Sequence, residues 1–238
     1  MLFLLLGFAS SSFAENIFDT DTISTSPVNI EITFIGHGTL MIEFDKTAVH
    51  IDPVSQYADY SRLPKADIIL VTHHHGDHLD KTAIGAIGKP DTDLILTETC
   101  AKEIQGGVVM KNGDTKKIGG IEIEAVPAYN VVHKRPNGEP FHPKGAGNGY
   151  VLTAGGKKIY IAGDTENIPE MKNLKGIDCA FLPMNLPYTM TPQMVADAVD
   201  MFHPKILYPY HFGDTNTLEL VKLLKDKKDC EVRIRKLK

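Results

Sequence analysis

The sequence predicts an α/β fold: a sandwich of mixed β-sheets covered by helices. Three observations carry this. Strand-like runs with a period of two follow one another closely at the start of the folded region. Further along, the strands are separated by segments of helical spacing. Twenty Gly and fourteen Pro among 238 residues favour turns and loops over long helices.

The chain opens on an apolar run, residues 2–9, too short to span a bilayer. Ser10-Ser11-Ser12-Phe13-Ala14 follows and ends in a small-x-small pattern before Glu15. Residues 1–14 therefore read as a secretory signal peptide cleaved after Ala14, although no Lys or Arg precedes the apolar run. This predicts an exported protein, periplasmic or secreted, with no stable membrane anchor; the alternative, a buried first strand or helix in place of a signal peptide, predicts a cytoplasmic one. Residues 15–27, rich in Ser, Thr and Asp, read as a flexible linker, and residues 28–238 as one domain.

Within that domain Val28, Ile30, Ile32 and Phe34 alternate with polar residues, and Gly36-His37-Gly38 breaks the run. Strands at 40–44 and 47–51 complete a meander. Residues 67–71, Asp followed by four apolar residues, form a strand, and Asp80 is placed to cap a short helix through Ile87. A strand at 93–96 and a helical turn at 100–104 close the first half. The second half repeats the theme. Residues 121–126 alternate cleanly, a Gly/Pro/His-rich loop covers 128–149, and a hairpin turns on Gly155-Gly156. Residues 179–182 are an apolar strand. Thr191-Pro192 starts a helix whose residues Met194, Val195, Ala198, Val199 and Phe202 share one face. A strand at 206–210, a helix at 218–224 and a strand at 230–234 end the chain. The basic stretch 227–238 reads as a solvated terminal strand.

Composition narrows the function. A net charge of -5 argues against a nucleic-acid partner. Cys100, Cys179 and Cys230 are too few and too scattered for a disulfide framework or a CxxC metal site. Cys179, inside an apolar strand, is a small hydrophobe rather than a nucleophile.

The chemistry concentrates in His73-His74-His75-Gly76-Asp77-His78. Imidazole and carboxylate are the usual nitrogen and oxygen ligands of zinc-like ions. Alternate residues of an extended segment point the same way, so His73 and His75 can converge on one ion. Gly76 lets the chain bend and aim Asp77 and His78 at a second ion. The run leaves a buried strand and enters a helix, where strand-end sites form.

This His-x-His-x-Asp-His run resembles the hallmark of the metallo-beta-lactamase superfamily. The resemblance covers residues 28 to about 235, with Ile51-Asp52-Pro53, Gly163-Asp164-Thr165 and Tyr210-His211-Phe212-Gly213 in the family's order. Residues 34–40 together with His142-Pro143-Lys144-Gly145 look most like the branch of small metal-dependent hydrolases related to ascorbate-6-phosphate lactonase. The resemblance implies an αββα sandwich with two divalent ions, zinc first, with manganese or iron as alternatives. It implies that His73, His75 and a third histidine hold one ion, Asp77, His78 and His211 the other, and that Asp164 bridges them. His142 and His133 compete for the third place; the His-x-x-Gly setting favours His142. Asp52 is expected to orient the metal loop rather than bind. His37 and Tyr188 are open between pocket and structural roles, and His74 points away by alternation.

The expected activity is hydrolysis of a small-molecule ester, lactone or phosphodiester by a metal-bound hydroxide, with Asp77 orienting the nucleophile and relaying its proton. The alternatives are a beta-lactam hydrolase and a non-catalytic metal-binding module of the same fold. Oligomeric state is not legible.

Overall fold

The computed structural model describes residues 18–237; the signal-peptide reading of residues 1–14 lies outside them. Among the described residues, the first half of the chain forms a sheet of β1 (Asp19–Ile23), β2 (Ile30–Gly36), β3 (Thr39–Phe44), β4 (Thr47–Ile51), β5 (Ile68–Leu70), β6 (Asp93–Leu96) and β7 (Val108–Val109), side by side in that order. β1 to β4 pair antiparallel and β4 to β7 parallel. The second half builds β8 (Thr115–Ile118), β9 (Ile121–Ala128), β10 (Gly147–Ala154), β11 (Lys157–Ile161), β12 (Cys179–Pro183), β13 (Ile206–Tyr210) and β14 (Glu231–Val232) in the same way. There β8 to β11 are antiparallel and β11 to β14 parallel.

Residue alternation sorts the layers. In β4 and β5, Val49, Ile51, Ile68 and Leu70 face the second sheet, where they join Ile123, Leu152 and Phe181 in the main core. Ile69 and Val71 point the other way, onto α1 (Lys81–Ile87), with Ala83, Ile84 and Ile87. The Phe34 ring stands 5.1 Å from Tyr208 and 6.1 Å from Phe181, joining the sheets. α2 (Pro192–Phe202) lays Val195, Ala198, Val199 and Phe202 on the outer face of the second sheet, and α3 (Thr217–Leu224) packs beside it. The order is helix, sheet, sheet, helix, the expected αββα sandwich. Parallel β5 and β12 are buried throughout, as strands covered on both faces must be.

The helix starts are local and legible. Asp80 accepts from Thr82 N (2.7 Å) and Ala83 N (3.3 Å). Thr191 accepts from Met194 N (3.1 Å) ahead of Pro192.

Residues 15–27 are not a linker throughout. Asp19–Ile23 is an edge strand in full register with β2, Asp19 opposite Phe34 and Ile23 opposite Ile30. Asp is a poor strand former, but a long-range anchor fixes the segment here. The Asp21 carboxylate accepts from Tyr208 Oη (2.6 Å) and from Arg235 Nη2 (2.6 and 2.7 Å). The same anchor corrects the reading of the basic C-terminal stretch: Arg233 and Arg235 tie the second sheet to the edge of the first.

Candidate metal centre

Parallel strands bring their C-terminal ends to one edge of each sheet, and the chemical groups collect there. Asp52 follows β4, the histidine run follows β5, Asp164 follows β11 and His211 follows β13. His37 sits in the turn between β2 and β3, and His142 in the loop between β9 and β10.

Seven side chains converge as two sets around one carboxylate. His73, His75 and His142 place ligand-type atoms within 4.8 Å of one another, and so do His73, His78 and Asp164, and His37, Asp77 and His211. Asp164 Oδ2 faces the first set, 3.2 Å from His142 Nε2 and 3.9 Å from His73 Nε2. Asp164 Oδ1 faces the second, 3.5 Å from both His78 Nε2 and His211 Nε2. Asp77 Oδ2 lies 3.4 Å from His211 Nε2 and 3.8 Å from His78 Nε2.

A surrounding layer fixes which nitrogen carries the proton in three of the rings, His73, His78 and His142. The buried Asp52 accepts from Thr72 N (2.7 Å), Thr72 Oγ1 (2.6 Å) and His78 Nδ1 (2.7 Å). A carboxylate only accepts, so His78 Nδ1 carries a proton and Nε2 is the nitrogen left to face the centre. Thr72 Oγ1 has spent its proton on Asp52 and therefore accepts from His73 Nδ1 (3.0 Å). Asn130 Nδ2 donates to Glu166 Oε1 (3.1 Å) and to the Tyr188 carbonyl (2.9 Å), which leaves Asn130 Oδ1 to accept from His142 Nδ1 (2.6 Å).

Does this donor set fit divalent ions? His78 Nε2, His142 Nε2, His211 Nε2 and Asp164 Oδ1 are buried without a hydrogen-bond partner. Each such atom costs roughly 1–3 kcal/mol if left unsatisfied. Their convergence on one place, with nitrogen and carboxylate oxygen donors and no thiolate, fits zinc-type ions.

Burial, with neighbouring imidazoles adding to it, holds His73 well below its ordinary value and His75 down to about 4. Burial also works against His78, but the carboxylates of Asp164 and Asp52 outweigh it and hold His78 up to about 9. Asp77 and Asp164 resist burial through the histidines around them and lie well below the usual carboxylate range.

His133 is not in this cluster. Its Nδ1 lies 2.7 Å from Glu166 Oε1, a fully buried carboxylate that also accepts the backbone N–H groups of Val131, Val132 and His133, each at 2.6 Å. Of the two competing histidines the fold brings His142 in. His37 Nε2 donates to Asp77 Oδ2 (3.2 Å), and its ring stacks on Tyr57 and lies tilted against His211. Tyr188 lies at the mouth, half exposed, with its ring against Phe141. His50 is buried away from the centre against the Pro64 carbonyl. Sequence reasoning missed Thr72, Asn130, Glu166 and Arg135; none stands in a motif, and only the fold brings them to the histidines. The centre opens into a cleft of about 460 Å³ whose walls include Tyr57, Arg135, Phe141 and Tyr188.

Fold and donor set together define a metallo-hydrolase architecture. Residues 31–211 match the beta-lactamase superfamily domain, and the chain belongs to that family as a metal-dependent hydrolase of the metallo-beta-lactamase superfamily. More narrowly, it is similar to UPF0173 metal-dependent hydrolases. The one from Thermus thermophilus is 32% identical over 192 residues, 77% of this chain and 84% of the relative. The one from Methanopyrus kandleri is 32% identical over 202 residues, 80% and 87% respectively. A crystal structure of a candidate metal-dependent hydrolase from Parabacteroides distasonis is 54% identical, with a TM-score of 0.89, covering 93% of this chain and 100% of that one. Igni18, a metallo hydrolase from Ignicoccus hospitalis, is 21% identical with a TM-score of 0.71, covering 86% and 94%; that likeness concerns the fold alone.

Proposed function

We propose that the chain is a two-metal hydrolase of small ester, lactone or phosphodiester substrates. In this reading His73, His75 and His142 would hold one divalent ion and Asp77, His78 and His211 the other, with Asp164 able to serve both sets. Zinc is the first expectation, with manganese or iron as alternatives. The observation that carries the reading is Asp164, whose two oxygens each face a different histidine set.

When bound, the ions supply Lewis acidity and bring the pKa of a shared water toward about 7. The chain's residues do the rest. Asp52, Thr72 and Asn130 hold the imidazoles in the tautomers that present lone pairs inward. Asp77, 42% exposed at its side chain, is the more open of the two carboxylates that line the cleft, and there it orients the attacking water. The cleft volume suits a small molecule.

Two measurements test this together: metal analysis of protein purified without added metal, and a hydrolysis panel of lactones, phosphodiesters, esters and beta-lactams. We expect about two ions per chain and turnover of an ester, lactone or phosphodiester. His75→Ala should lose metal and activity together, and full activity in that variant would sink the proposal. Turnover of the beta-lactams alone would move the substrate class.

Export is also proposed, on sequence grounds. Among the described residues no helix is long and apolar enough to cross a membrane. N-terminal sequencing of the natural protein should find Glu15 first, and retention of Met1 would contradict export by cleavage.

A further inference from the structure

The loop between β9 and β10 carries one cation to the metal centre. Arg135 is fixed at its base by a tight turn, its N–H donating to the Glu139 carbonyl (2.7 Å) and its carbonyl accepting from Gly138 N (2.9 Å). Its guanidinium lies over the Phe141 ring, 5.1 Å from the centroid, and Phe141 in turn stands edge-on to Tyr188. This stacking aims Arg135 Nη2 into the cleft, where it stops 3.5 Å from His75 Nε2.

That contact is mismatched once the ligand roles are assigned. His75 Nδ1 is the nitrogen turned to the first histidine set, 3.1 Å from His73 Nε2. If Nδ1 gives its lone pair to the ion, the ring proton sits on Nε2. Arg135 Nη2 and His75 Nε2 are then two donors facing each other, and the acceptor near Nη2 is the Phe141 carbonyl at 3.5 Å, the limit of hydrogen-bond reach. A guanidinium has donors only and pairs in a fork with oxyanions.

We infer that Arg135 and the Nε2–H of His75 form a subsite for an oxyanion, carboxylate or phosphoryl, that the substrate carries beside its scissile group. This rests on the two-metal reading above, because it uses the assignment of His75 Nδ1 as a ligand. The aromatic side chains of Phe141 and Tyr188 lie next to the subsite, so the probes used to test it carry a phenyl ring.

The test is calorimetric, on metal-loaded protein whose ion content is measured first. Phenylphosphonate and phenylacetate are titrated into the wild type, Arg135→Met and Arg135→Lys. Arg135 is exposed, and Met keeps an apolar stem against Phe141. The wild type should bind at least one of the two anions, and the stronger one names the source of the oxyanion. Arg135→Met should weaken that binding by at least about tenfold with unchanged metal content, and Arg135→Lys should fall between, having charge without the fork. Equal affinity in wild type and Arg135→Met, with both ions present, overturns the subsite and leaves the two-metal reading standing. Binding of neither anion by the metal-loaded wild type does the same. A wild type that takes up no ions overturns both.

Discussion

Replacing Asp52 with asparagine should weaken the second ion's site far more than the first, which Asp52 reaches only through Thr72 and His73. Asp52 accepts three hydrogen bonds in full burial, Thr72 N on Oδ1 and both Thr72 Oγ1 and His78 Nδ1 on Oδ2. Asparagine has the same shape but one of its two ends donates. If the amide oxygen stays with Thr72 N, the NH₂ group meets the His78 Nδ1 proton. His78 can escape only by moving its proton to Nε2, which removes the lone pair offered to the ion. If the amide is flipped, the NH₂ meets the Thr72 backbone N–H, which cannot adapt. Either way one buried donor faces another, at about 1–3 kcal/mol, or about five- to a hundredfold in binding, in line with the 10–100-fold typical of groups that orient metal ligands. Competition titration with a chromophoric chelator reads the two sites separately. The expected result is one ion bound near wild-type affinity and one weakened by one to two orders of magnitude. Two ions bound as tightly as in the wild type would refute the role given to Asp52.

Other perturbations follow from the same contacts. A methyl group at Gly38 would come within 2.9 Å of His78 Cε1 and 3.2 Å of His211 Cδ2, so Gly38→Ala should weaken the second ion by about tenfold in the same titration; unchanged affinity would show that the rings have room. His50, fully buried, is pushed down to about 4 by burial, partly offset by the Pro64 carbonyl. Between its ordinary value of 6.5 and about 4, the unfolded chain takes up a proton that the folded chain refuses. Stability therefore falls as pH drops through that window, by roughly 3 kcal/mol from this residue; denaturant midpoints across pH 4–7 should show a flatter slope in His50→Gln, and parallel slopes would contradict this. Asp21→Asn should remove the charge and one of the two acceptor oxygens that Arg235 and Tyr208 share and destabilise by about 1–3 kcal/mol, with Tm down about 2–4 °C for each kcal/mol; a Tm within experimental scatter of the wild type would show the anchor to be idle.

What the chain discloses locally, it discloses well. Thr47–Ile51, Asp93–Leu96, Lys81–Ile87, Pro192–Phe202 and Ile206–Tyr210 fall where alternation or a capping residue places them, because those signals lie within a few residues of the element. Asp19–Ile23 was hidden because its stability comes from Arg235 at the far end of the chain. Val108–Val109 and Thr115–Ile118 were hidden as short edge strands with little apolar alternation. The site divides in the same way. His73 to His78 is dense enough to read as a metal site unaided. The choice between His142 and His133 turns on Asn130 and Glu166, whose partners are set by the fold. Arg135 lies in a polar loop, and only the position of Phe141 and His75 gives it meaning.

Anomalous diffraction from crystals of protein loaded with zinc tests the two-metal centre most directly. Two peaks roughly 3.5–4 Å apart should appear on either side of the Asp164 carboxylate, one enclosed by His73, His75 and His142 and the other by Asp77, His78 and His211. A single peak, or peaks held by other residues, would contradict it.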